Sequence, residues 1–88
     1  MNLKALSEIL TKHGGCTRDG QAYLVPPTST LTMYASMGVE PLIIDRIVRV
    51  EVEHELVIAT TSRRERYVLT PDDLSVLRIA SVDSGAGY

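Results

Sequence analysis

Eighty-eight residues with a formal net charge of −2 make one domain, because a core this small does not divide. A hydrophobic fraction of 44% excludes whole-chain disorder, and the near-neutral balance excludes a general pull toward nucleic acid or anionic membrane, leaving room only for local patches. Four tyrosines are the only aromatic residues, so the core must come from Val, Ile, Leu and Met, and stacked aromatic platforms for bases are disfavoured.

Asn2 is a helix-capping residue, and Leu3, Leu6, Ile9 and Leu10 fall on one helical face. Gly14 and Gly15 follow His13 as a stop signal. The spacing predicts a helix over residues 3–13, with Lys4 and Glu8 as an i,i+4 pair on its outer face. Asp19-Gly20 between β-compatible runs predicts a type I′ hairpin, and Pro26-Pro27 ends its second strand. Thr30–Ala35 alternates as a strand would; a helix from Ser29 to Gly38 is the rival reading, and the strand is preferred.

Gly38-Val39-Glu40-Pro41 leads into Leu42–Val52, the strand that organises the chain. Its alternation places Val48, Val50 and Val52 toward the core and Arg49 and Glu51 toward water. Glu53-His54-Glu55 is the turn into a second strand, Leu56–Thr61, whose Leu56 and Ile58 are expected in the core. Ser62–Glu65 is the next hairpin tip, and Arg66–Leu69 returns along the sheet. Thr70-Pro71-Asp72-Asp73 has the order of a helix start, with a cap, a proline and two acids. One helical turn is expected there, then a closing strand over residues 76–80.

The sum is an α+β fold: an N-terminal helix followed by an antiparallel meander of five to seven short strands. It forms either a twisted sheet with the helix on one face or a small SH3-like or split barrel plugged by the helix. The single helical turn before the last strand favours the barrel. Residues 1–80 are expected to form the domain, and 81–88, with Gly85 and Gly87, a flexible tail. The lone Cys16, the absence of a signal-like apolar run and the absence of any membrane-length segment predict a cytoplasmic chain without membrane association.

No pattern specifies chemistry. His13 and Cys16 lie three apart, but a nucleophilic thiol needs a positioned base and a lowered pKa that spacing does not supply. Two histidines and one cysteine are too few for a closed zinc site, and Gly14-Gly15 lacks the lysine and hydroxyl of a phosphate loop. No metal, cofactor or catalytic residue is therefore assigned. Three groups are candidates for partner binding. Arg63, Arg64 and Arg66 crowd a hairpin tip, although Glu65 interrupts them; Glu51 and Glu53, continued by Glu55, form an acidic stripe; Met33, Tyr34 and Met37 are adaptable apolar residues that serve equally well as core.

The leading expectation is a small non-catalytic protein–protein interaction module: a regulator, adaptor or inhibitor of a larger complex, of the kind mobile elements and phages encode. A nucleic-acid-binding small barrel using the arginine hairpin comes second and an enzyme subunit third. The basic hairpin and the acidic turn should lie at opposite ends of the Leu56–Thr61 strand.

Overall fold

One long strand sets the plan of the molecule. The computed structural model describes residues 1–81; of the expected tail, residues 81–88, Ser81 ends the last strand and the rest lies outside the described residues. The helix α1 covers Leu3–Glu8 and continues as a π-helical turn over Ile9–His13. Seven strands follow: β1 Thr17–Asp19, β2 Ala22–Leu24, β3 Ser29–Met37, β4 Glu40–Glu53, β5 Leu56–Thr61, β6 Arg66–Leu69 and β7 Leu74–Ser81. A 3₁₀ turn, Pro71–Asp73, joins β6 to β7. All pairings are antiparallel, and the sheet curls into a half-barrel around the helix.

Helix entry is fixed by Asn2, whose Oδ1 accepts from the Ala5 N–H at 2.7 Å. The π turn widens the helix end, so that Gly14 N–H reaches Ile9 O and Cys16 N–H reaches Leu10 O. Gly15 makes that reversal with φ +64°, a left-handed conformation open to glycine at little cost. Lys4 and Glu8 do not reach each other; among the described residues the ion pair is Arg49 Nε to Glu51 Oε1, 3.3 Å. In the first hairpin Asp19 pairs with Ala22, so the central residues are Gly20 and Gln21, and only Gly20 has positive φ. This is the pattern of a type II′ turn, not the expected I′.

β4 carries most of the sheet. Ile47 pairs with Leu31 on one side and Thr61 on the other. β2 and β3 therefore follow one another along the same edge of β4, interrupted by the Pro26–Ser29 turn, while β5 occupies the opposite edge and β6 lies beyond it. β7 pairs with the outer edge of β3.

The expected alternation in β4 fails for a specific reason. Against β3, three steps of β4 from Ile44 to Ile47 match two steps of β3; against β5, two steps from Ile47 to Arg49 match one. Each mismatch is a bulge, and a bulge shifts the facing of the residues after it. The buried residues of β4 consequently fall three apart, at Ile44, Ile47 and Val50. Val48, expected in the core, is 43% exposed, and Val52 is only partly buried. In β5 Val50 stands opposite Ala59, and Val52 opposite Val57, so Val57 and Ala59 face inward with no exposure and Leu56 points outward. Ile58 is buried as expected, but from the outer side, between Glu51 and Val68.

Leu6 and Leu10 of the helical segment close the concave face against Tyr23, Leu31, Met33, Ala35, Ile44, Ile47, Val50, Val57, Ala59, Leu69 and Leu74. Full burial of each leucine contributes about 1.5–3 kcal/mol, which a helix this short needs from packing. Tyr23 brings a hydroxyl into this core and bonds it to Ser7 Oγ at 2.9 Å. The Met1 ammonium donates to Pro71 O at 2.9 Å and Leu74 O at 3.1 Å, tying the chain start to the turn between β6 and β7.

Candidate interaction surface

The antiparallel order gives the sheet two electrically different ends. β5 runs from the His54-Glu55 turn to the Ser62–Glu65 tip, about 20 Å at the usual rise per residue. At the first end stand Glu53 and Glu55, both exposed. β6 returns to that end and delivers Asp72 in the 3₁₀ turn. A cleft of about 440 Å³ opens there between Asn2, Leu3, Glu55, Thr70, Pro71 and Asp72. Its polar rim is partly occupied internally, since Asn2 Oδ1 caps the helix and Thr70 Oγ1 donates to Asp73.

At the other end Arg63, Arg64 and Arg66 are exposed. The tip is held by Thr61, which is 4% exposed. Its Oγ1 accepts from the N–H groups of Arg63 and Glu65 and lies 3.3 Å from Glu65 Oε1. Glu65, which breaks the arginine run in sequence, is thereby turned back on the hairpin stem. Arg46 joins this end because its carbonyl accepts from the Ser62 N–H at 2.9 Å. A second cleft, about 350 Å³, lies where the Pro26-Pro27 turn leaves the edge of β4; its walls are Val25, Pro26, Pro27, Ile47 and Val48, with Ser29, Thr30, Arg46 and Ser62 at the rim.

The three sequence-derived groups fare differently. The arginines stay together and gain Arg46. The acidic stripe is divided: Glu51 and Glu53 share the outer face of β4, but Glu51 is half-buried and paired with Arg49, so the acids of this end are Glu53, Glu55 and Asp72, with the Met1 ammonium against the same 3₁₀ turn. The Met33–Tyr34–Met37 surface does not exist as such. Met33 has no exposure and belongs to the core, because β3 turns Leu31, Met33 and Ala35 inward. Tyr34 faces out between Ile43 and Val76, its direct partners on β4 and β7, and Met37 closes β3 opposite Glu40.

Arg46 and Asp72 escaped sequence reasoning. Asp72 reaches Glu55 only through the return of β6. Arg46 reaches the hairpin tip only through the bulges of β4, and nothing in its neighbours marks it. His13 is exposed beside a half-buried Cys16, whose thiol burial pushes above its ordinary pKa; this is the opposite of nucleophile activation. Among the described residues no three His, Cys, Asp or Glu side chains are grouped as metal ligands, and no helix is long and apolar enough to cross a membrane. No protein-family model matches the chain, and no curated protein or solved structure matches it.

Proposed function

We propose that this protein is a small non-catalytic interaction module that regulates, adapts or inhibits a larger protein complex, and that it engages its partner through the basic end of the half-barrel. The observation that carries this reading is the segregation of charge: Arg46, Arg63, Arg64 and Arg66 lie at one end of β5, and Glu53, Glu55 and Asp72 at the other. A surface polarised in this way orients an approaching charged partner and raises its association rate, with a strong dependence on salt. The basic end is preferred because its cleft has mostly apolar walls, the usual composition of a binding pocket, whereas part of the acidic cleft's rim is already engaged.

Capture of partners by the immobilised chain from its native host, with and without nuclease, tests the reading. A protein partner retained after nuclease, lost in an Arg63→Glu/Arg64→Glu variant and kept in a Glu53→Lys/Glu55→Lys variant is the expected result. Retention that depends on nucleic acid would instead favour a nucleic-acid-binding role for the arginine hairpin. Binding unchanged by both charge reversals across a range of salt would remove charge segregation as its basis.

A further inference from the structure

We infer that the cleft between the Pro26-Pro27 turn and the bulged middle of β4 is a docking site for an acidic peptide segment of a protein partner, with one aliphatic side chain of that segment inserted among Val25, Pro27 and Val48 and a neighbouring carboxylate held by Arg46. This rests on the interaction-module reading and names the chemistry of the partner.

Three observations converge on it. The cleft, at about 350 Å³, sits at the lower end of the roughly 300–1,000 Å³ typical of ligand pockets, suited to a side chain and its flanking backbone rather than to a cofactor. Its one charged lining residue is Arg46, and the tip that carries Arg63 and Arg64 begins immediately beyond lining residue Ser62. The charge that complements this rim is negative, and a planar guanidinium binds a carboxylate through paired hydrogen bonds. Finally, Arg46 holds φ +56°, a left-handed conformation unfavourable for a residue with a Cβ. Such outliers concentrate at ligand sites, and here the conformation places an arginine where glycine would be less strained. A nucleic acid is the weaker fit: the walls are aliphatic, and no aromatic lines the cleft on which a base could stack.

The test is a ¹⁵N-resolved NMR titration of the full chain at low salt with four probes. They are a capped peptide of leucine flanked by aspartates, the same peptide with alanine for leucine, the same with asparagine for the aspartates, and a single-stranded oligothymidylate. Saturable shifts of Val25, Ser29, Thr30, Arg46, Ile47, Val48 and Ser62 with the first peptide are expected, with much weaker responses to the other three. Arg46→Gly should relieve the backbone and leave the fold intact while weakening the first peptide about tenfold, the equivalent of one charge-assisted pairing. Should Arg46→Gly disturb the spectrum globally, Val48→Glu, at an exposed wall position, should give the same loss.

Shifts centred elsewhere, equal binding of the alanine or asparagine peptide, unchanged affinity in both variants, or a stronger response of these residues to the oligonucleotide would each overturn the assignment. Failure here is separable from failure of the broader reading. A captured partner that responds to Arg63→Glu/Arg64→Glu but not to Arg46→Gly or Val48→Glu binds the basic end outside the cleft.

Discussion

The turn between β4 and β5 should be a place where the protein can be made more stable by two substitutions. Glu53 pairs with Leu56, so the loop has two central residues, His54 and Glu55, with φ +50° and +64°. A two-residue hairpin with both residues left-handed is a type I′ turn, whose favoured sequence is Asn-Gly. Left-handed backbone costs an ordinary residue about 1–2 kcal/mol. Glu55→Gly removes that cost but adds about 0.5–1 kcal/mol of unfolded-state entropy, a net gain of about 0.5–1 kcal/mol. His54→Asn adds a few tenths, since asparagine tolerates this region better. Together they should raise stability by about 1 kcal/mol and the Tm by about 4–8 °C for a domain of this size. Thermal and urea unfolding of the double variant measure it, with Glu53→Gly, placed in the strand itself, as the control that should lose about 0.5–1 kcal/mol. If Glu55→Gly lowers the Tm as the control does, the turn is not left-handed at these residues and the strain reasoning is wrong.

Two further expectations concern the core and the thiol. Val50→Ala should cost about 1–3 kcal/mol, from lost burial and an incompletely relaxed cavity, whereas Val48→Ala should change stability by no more than about 0.5 kcal/mol; comparable losses at the two positions would restore an unbroken alternation in β4. Cys16 should alkylate more slowly in the folded chain than in urea near pH 8, because burial raises its pKa and the thiolate is the reactive form. The same shift makes stability greatest below the thiol's unfolded pKa, declining as pH rises through it toward the folded value; equal alkylation rates in the two states would show that the thiol is not shielded.

Local signals in the sequence located nearly every element. The asparagine cap and leucine spacing marked the helix, the threonine alternation marked β3 as a strand, and Thr70-Pro71 marked the short turn before β7. These depend on neighbouring residues alone, so they survive without knowledge of the fold. The bulges of β4 do not. A bulge normally announces itself by glycine, and here Arg46 occupies the left-handed position, so Leu42–Val52 reads as an ordinary strand and Val48 is assigned to the core although it lies outside it. The same hidden irregularity concealed the basic cleft, which exists because β4 bends where β2 gives way to β3. The arginine tip was legible because its residues are adjacent in sequence. The partnership of Glu55 with Asp72 was not, because sixteen residues and a returning strand separate them.

Among the described residues, those that hold the left-handed conformation without being glycine are Arg46, His54, Glu55 and Arg64. Each stands at one of the two charged ends: Arg46 at the rim of the basic cleft, Arg64 on the arginine tip, His54 and Glu55 in the acidic turn. Glycine or asparagine at any of them would ease the backbone by an amount comparable to a tenth of a small domain's stability. Elsewhere the chain does use glycine where φ is positive, at Gly15, Gly20 and Gly38. Glycine would remove the side chain together with the strain, and at Arg46 and Arg64 the side chain carries the charge on which the proposed binding depends. Strain and charge therefore belong to one arrangement: substitutions that relax the turns should stabilise the fold and, at Arg46 and Arg64, weaken the interaction.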